Sequence, residues 1–191
     1  MKLIKTSRFF AILRTTSIAG LAFAAQPAVA QEAEQAEQAE SLTKPLSYTE
    51  VSAATAPIAD AYFAAYIAHD WDALEPLLTE DSSFQDPTAR RIFGQVLSEG
   101  RTAMMERFRV GYAGISHMEF VKNRHLISGE TAIYEGALHW GSDLGNGTVV
   151  DSVTPMVVVL NVVNGKVTRH VDYVDYAPFV AAVRKSRSAA K

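Results

Sequence analysis

Two residues near the end of the chain have the types and spacing that proton transfer needs. His170 and Asp172 lie two positions apart in the run RHVDYVDY. Residues two apart on a strand share a face, and an aspartate beside a histidine fixes the histidine tautomer for proton transfer. The same spacing also suits a buried, hydrogen-bonded pair that braces a sheet, so the residues alone leave both interpretations open.

A third candidate for chemistry is Asp86, which ends the stretch SSFQDPT just before Pro87. The residue before a proline favours extended geometry, and an aspartate there also favours a turn. Asp86 is therefore either a turn-forming residue or a carboxylate at a strand end that faces a pocket. In a pocket it could act as a general base.

Two tyrosines lie on one predicted helical face, which Ile58, Tyr62, Ala65, Tyr66 and His69 define by their spacing. Tyrosines on such a face are commonly core residues whose hydroxyl finds one partner. The alternative is that the Tyr62 hydroxyl points into a cavity and donates a hydrogen bond to a developing oxyanion. Both alternatives remain open at this point.

The sequence lacks the residue patterns of metal, nucleotide and nucleic-acid sites. It contains no cysteine, which excludes thiolate nucleophiles, disulfides and cysteine-based metal centres. His125 and His139 have neither H-x-H nor H-x₃-H spacing, so we expect no metal. No basic stripe alternates with aromatic residues, so no nucleic-acid partner is expected. We also expect no cofactor.

The elements that must position these residues divide into helices followed by long strands. Ser47 and Glu50 have the spacing of a capping box. Gly and Asn turn signals separate four strands rich in Val, Ile, Tyr and Thr, as in antiparallel hairpins. Helices first and hairpins afterwards predict an α+β fold. The predicted helices are 57–69, 71–78, 101–112 and a short one from 178; the predicted strands are one within 82–88 and four at 118–127, 131–142, 148–163 and 166–176, with 89–99 irregular.

The first 30 residues have the features of a secretory signal peptide: basic residues and no acid, a short apolar run, and Ala-Val-Ala at 28–30. We expect export to the periplasm or the medium, with cleavage near Ala30 and no membrane contact in the mature form. Residues 31–46, rich in Gln, Glu and Ala, predict a linker. One domain at 47–185 and a basic tail at 186–191 follow.

Three parts of the sequence are typical of one family. They are the opening segment YFAAYIAHDWDALEPLLTEDSSFQDP, the last strand NGKVTRHVDYVDY, and the order of three helices before a four-stranded meander. From residue 55 to residue 180 the sequence resembles the SnoaL-like domain of the nuclear transport factor 2-like superfamily. The resemblance implies a cone, in which helices pack on a curved, mainly antiparallel sheet.

The resemblance also implies roles for individual residues. Compared with ketosteroid isomerases, Tyr62 matches the oxyanion-binding tyrosine and Asp86 the general base, whereas Val157 stands where those enzymes have a protonated acid. Compared with limonene-epoxide hydrolases, Asp172 matches the catalytic aspartate, and Phe84 and Asp86 fall at a tyrosine and an asparagine. Neither catalytic set is complete in this sequence.

The combined expectation is an exported domain that binds a small, largely apolar molecule in a cone-shaped pocket. Cofactor-free proton transfer of the isomerase, cyclase or dehydratase type would use Asp86, Tyr62, Asp172 and His170. The alternative is a non-catalytic ligand-binding or dimerisation module, and a homodimer through the sheet is possible in either case. The expected ligand-binding residues are Tyr66, Phe84, Phe108, Tyr112, His139 and Val157.

Overall fold

The computed structural model describes residues 45–145 and 147–189. The predicted signal peptide at 1–30 lies outside the described residues, as do residues 31–44 of the predicted linker. The last two residues of the predicted basic tail, 190 and 191, also lie outside them. Among the described residues, no helix is long and apolar enough to cross a membrane.

The first helix, α1 (Tyr48–Ala68), begins at the predicted capping box. The Glu50 amide donates to Ser47 Oγ at 3.3 Å, and the Ser47 amide donates to Glu50 Oε2 at 2.6 Å. The main helix was predicted to start at Pro57. The observed helix starts earlier, and Pro57 lies inside it. A tertiary contact stabilises the helical turns before Pro57, because the Tyr48 hydroxyl forms a hydrogen bond with Ser128 Oγ in the hairpin of residues 115–143.

Two of the remaining helical segments are long, and the others have three or four residues. The long helix that follows the irregular region ends one residue earlier than predicted, and the C-terminal helix extends over most of the predicted basic tail. The segments are α2 (Trp71–Leu74), a 3₁₀ turn (Glu75–Leu77), a second 3₁₀ turn (Pro87–Ala89), α3 (Arg90–Phe93), α4 (Arg101–Gly111) and α5 (Ala177–Ala189).

In the described part of the chain, six strands form one mixed sheet in the order β2-β1-β6-β5-β4-β3. The predicted meander is confirmed, since the last four strands pair antiparallel with their neighbours in sequence. The first strand pairs parallel with the last, and a short edge strand lies within the segment that was predicted to be irregular. The strands are β1 (Leu78–Asp86), β2 (Val96–Glu99), β3 (Ile115–Ser128), β4 (Thr131–Asp143), β5 (Val149–Val163) and β6 (Lys166–Val174).

The inner face of this sheet carries the core, because alternate residues of β4 and β5 are buried. Leu138, Trp140, Met156 and Val158 point inward and pack with α1 and α4. The parallel pairing of β1 with β6 places Phe84 opposite His170. The carboxyl ends of these two strands, with Asp86 and Asp172, therefore meet on the inner face.

Candidate functional site

A cavity of about 430 Å³ lies against the inner face of the sheet. Apolar side chains form much of its wall, and two aspartates, Asp86 and Asp172, contribute to it from adjacent strands. Apolar pockets with a few converging polar groups are the usual form of small-molecule sites. The lining includes Tyr66, Phe84, Asp86, Phe93, Arg107, Tyr112, Met118, Leu138, Trp140, Met156, Asp172 and Tyr176.

A buried chain of hydrogen bonds begins behind this wall. The Tyr62 hydroxyl lies 3.0 Å from His170 Nδ1, and His170 Nε2 lies 2.7 Å from Asp172 Oδ1. His170 is fully buried and Asp172 is 2% exposed. The ring of His170 bridges the Tyr62 hydroxyl and the Asp172 carboxylate. Both ring nitrogens of His170 are thus paired inside the protein.

The same chain continues from Asp172 into the cavity. The Tyr66 hydroxyl donates to Asp172 Oδ2 at 2.7 Å, and the Tyr112 hydroxyl forms a hydrogen bond with that of Tyr66. Burial is the main cause that raises the pKa of each of these tyrosines, and the negative charge of Asp172 raises it further. The hydroxyls therefore keep their protons at neutral pH. Tyr66 and Tyr112 connect the buried histidine–aspartate pair to the cavity.

Asp86 forms a second carboxylate–tyrosine pair at the same cavity. Its Oδ1 accepts hydrogen bonds from the Thr88 and Ala89 amides, both at 2.9 Å, and so caps the 3₁₀ turn that follows β1. Its Oδ2 accepts from the Tyr176 hydroxyl at 2.6 Å. Burial, and next the charge of Asp86, raise the pKa of Tyr176. Asp86 is therefore a turn-capping residue that also faces the cavity.

Thr88 connects Asp86 to the strand that carries the other aspartate. Its hydroxyl donates to Asp86 Oδ1 and accepts from the Val174 amide at 2.8 Å. Val174 lies two residues beyond Asp172 on β6. This bridge holds the ends of β1 and β6 together and fixes the two carboxylates relative to each other.

The structure brings most of the residues predicted for the site to one place, in two layers. Tyr66, Phe84, Asp86, Tyr112 and Asp172 line the cavity. Behind this lining are Tyr62, His170 and Phe108, which are fully buried. The Tyr62 hydroxyl is linked to the cavity residue Asp172 through the ring of His170. This hydroxyl is paired with His170 and is not part of the cavity lining.

Two residues predicted to bind ligand, His139 and Val157, lie on the opposite face of the sheet. The buried residues of β4 and β5 alternate, and Leu138, Trp140 and Met156 occupy the inward positions. A period of two then places their neighbours His139 and Val157 on the outer face. Val157 lines a shallow groove there, beside Tyr173. Their placement in the pocket is therefore corrected.

Several cavity residues were missed in the sequence. Tyr176 is the most important of them, since its hydroxyl bonds to Asp86. It was visible as the last residue of the polar run RHVDYVDY, but its partner lies 90 positions earlier and no local pattern joins the two. Trp140 and Met118 lie on β4 and β3, and no pattern in the sequence marked them as cavity residues. Among the described residues, no group of three or more His, Asp or Glu could hold a metal ion.

The sequence matches the model of a known protein family. Residues 59–170, more than half of the chain, match the family model of the SnoaL-like domain. The chain belongs to the SnoaL-like domain family. The buried residues described above, from Tyr62 to His170, fall within the matched segment, whereas Asp172 and Tyr176 follow it. No match was found among curated proteins.

Solved structures with this SnoaL-like fold come from several bacteria. A Shewanella putrefaciens protein described as a SnoaL-like polyketide cyclase is 23% identical, with a TM-score of 0.61 over 69% of this chain and 96% of its own. A Catenulispora acidiphila protein with a ketosteroid isomerase-like fold, solved with trimethylamine, is 19% identical, with a TM-score of 0.54 over 65% and 90% of the two chains. An M. tuberculosis protein described as an LEH-like epoxide hydrolase is 20% identical, with a TM-score of 0.51 over 72% of this chain and 92% of its own. At these identities the likeness shows the fold alone.

Proposed function

We propose that this SnoaL-like domain binds a small, largely apolar molecule in its cavity and catalyses cofactor-free proton transfer on it. One observation carries the proposal: two carboxylates, Asp86 and Asp172, each paired with a tyrosine hydroxyl, face the same apolar-walled cavity. Paired acidic groups with hydroxyl partners can take and return protons without a metal or an organic cofactor. The reaction would be of the isomerase, cyclase or dehydratase type.

The arrangement favours Asp172 as the final proton acceptor. A ligand proton that passes to the Tyr112 oxygen would release the Tyr112 proton to Tyr66, and the Tyr66 proton to Asp172 Oδ2. Each tyrosine gains one proton and loses one, so only the ligand and the carboxylate change charge. Asp86 accepts from two amides and two hydroxyls, which makes it the more fully paired of the two carboxylates. Tyr62 and His170 would position Asp172.

The test begins with the ligand that the protein holds. The full chain is purified and extracted with organic solvent, and bound compounds are identified by mass spectrometry. Met118→Trp places a bulky ring in the cavity wall, and Val153→Trp places the same ring on the exposed outer face of β5. We expect the same compound in the wild type and in Val153→Trp, and its loss from Met118→Trp. Equal content in all three proteins would contradict binding in this cavity.

Catalysis of proton transfer is tested by a separate measurement. The identified compound is incubated with the protein in D₂O, and deuterium incorporation and product are followed by mass spectrometry. Asp172→Asn is expected to lower the rate by about 10²- to 10⁴-fold, which is the usual contribution of a general acid–base group. A bound compound that neither exchanges protons nor converts would rule out catalysis.

The second candidate is a non-catalytic module that binds a ligand and pairs through its sheet. The observation that favours it is that protein donors already bond to all four carboxylate oxygens of Asp86 and Asp172. Its outer sheet face carries Val121, Val153 and Tyr173, each between 44% and 50% exposed. Light scattering tests the pairing: a dimer that Val153→Asp converts to a monomer supports it, and a monomeric wild type contradicts it.

A further inference from the structure

The hydrogen bonds around the cavity have a direction that restricts what can bind there. A tyrosine hydroxyl has one proton to donate. Tyr66 uses its proton on Asp172 Oδ2 at 2.7 Å. The hydrogen bond between Tyr66 and Tyr112 must then have Tyr112 as its donor. The Tyr112 oxygen keeps a lone pair but has no proton left for a ligand.

A second tyrosine at the cavity, Tyr176, also has no hydroxyl proton left for a ligand. Tyr176 donates its only proton to Asp86 Oδ2 at 2.6 Å. Burial raises the pKa of Tyr112 and of Tyr176, so both remain neutral hydroxyls across the physiological range. The carboxylate oxygens of Asp86 and Asp172 are acceptors as well. This side of the cavity therefore presents acceptors: two phenolic oxygens and two carboxylates.

Arg107 is the cationic donor in the lining, and it is partly engaged elsewhere. Its Nε donates to Ser98 Oγ at 2.6 Å, and its Nη2 donates to the Leu97 carbonyl at 3.1 Å. Both partners belong to the edge strand β2. Arg107 therefore anchors α4 to β2. Among the described residues, the lining contains this one positively charged residue and three aspartates, Asp86, Asp143 and Asp172. The charge balance of the lining is negative.

We propose that the cavity selects apolar molecules that carry a hydroxyl group, and that this hydroxyl donates its hydrogen bond to the Tyr112 oxygen. This inference rests on the proposed function, since it names the compounds that the same cavity takes. A ligand carbonyl or ether at that point would face lone pairs and lose the hydrogen bonds it had in water. A ligand carboxylate would in addition meet Asp86 and Asp172. Tyr112 is thus a specificity-determining residue.

Three two-ring compounds of the same framework test this selection. Isothermal titration calorimetry at neutral pH compares 2-naphthol, 2-methoxynaphthalene and 2-naphthoic acid on the full chain. We expect 2-naphthol to bind about tenfold more tightly than the methyl ether, as a net hydrogen bond provides. The carboxylate should bind most weakly. In Tyr112→Phe, which keeps the ring and removes the oxygen, the preference for 2-naphthol should fall to about twofold or less.

The matched control is Tyr173→Phe, which removes a hydroxyl from the exposed outer face of β6 and should leave all three affinities unchanged. Equal affinities in the wild type, or tightest binding of 2-naphthoic acid, would overturn the inference and leave the proposed function standing. A preference for 2-naphthol that persists in Tyr112→Phe would overturn the role of Tyr112. Failure of all three compounds to bind would count against the proposed function itself.

Discussion

Asp172→Ala is expected to lower the free energy of unfolding by about 2 to 6 kcal/mol, because two buried donors lose their acceptor and each unsatisfied buried group costs about 1 to 3 kcal/mol. The substitution leaves His170 Nε2 and the Tyr66 hydroxyl without the carboxylate that they bond to at 2.7 Å each. Both groups are almost completely buried, so water cannot replace the lost partner. Urea unfolding followed by circular dichroism measures the change.

The structure offers a matched control for this substitution. His117 and Asp151 also form a histidine–aspartate contact, with Nε2 and Oδ1 at 3.3 Å, but their side chains are 53% and 75% exposed. Asp151→Ala should therefore change the unfolding free energy by no more than about 0.5 kcal/mol. Asp172→Asn keeps the shape of the buried side chain and should fall between the two. Equal effects of the two alanine substitutions would show that the buried chain of hydrogen bonds does not stabilise the fold.

The buried tyrosines predict a loss of stability at alkaline pH. Burial raises the pKa of Tyr62, Tyr66, Tyr112, Tyr134 and Tyr176 in the folded protein, whereas unfolding returns each to about 10. Above pH 10 the unfolded chain releases protons that the folded chain retains, so stability falls as pH rises. Each such tyrosine contributes about 1.4 kcal/mol per pH unit, or up to about 7 kcal/mol per pH unit for the five.

Urea midpoints between pH 8 and pH 11 measure this slope, and absorbance at 295 nm reports tyrosine ionisation. Tyr66→Phe should reduce the slope by one tyrosine's share, because it removes one buried group. Tyr173→Phe removes an exposed hydroxyl and serves as the control. A midpoint that stays constant from pH 9 to pH 11 would contradict the prediction.

Local patterns in the sequence predicted a large part of this fold. The turn signals between the last strands are local, so the meander followed from them. The capping box at Ser47 is local too, although the main helix was predicted to start only at Pro57. Alternation likewise placed His170 and Asp172 on one face of β6. The edge strand β2 was missed because it is only four residues long. It is defined by its pairing with β1, and a local sequence pattern does not reveal such a pairing.

The site was less predictable than the fold, because its contacts join residues far apart in the chain. The bond between Tyr66 and Asp172 spans 106 positions, and the parallel pairing of β1 with β6 brings Asp86 to the same cavity. Individual residues of the site were recognised, but their partners were not. His139 and Val157 were assigned to the pocket, although the inward neighbours Leu138, Trp140 and Met156 already specify the opposite face.

The two tryptophans allow the binding of a small apolar molecule in the cavity beside the aspartates to be tested directly. Trp140 lines the cavity and its indole Nε1 donates to Thr154 Oγ1 at 3.2 Å, whereas Trp71 stacks on Phe108 outside the lining. In a protein labelled with ¹⁵N-tryptophan, titration with 2-naphthol should shift the Trp140 indole signal to saturation and move that of Trp71 much less. A Trp140 signal that stays in place at saturating 2-naphthol would contradict the account.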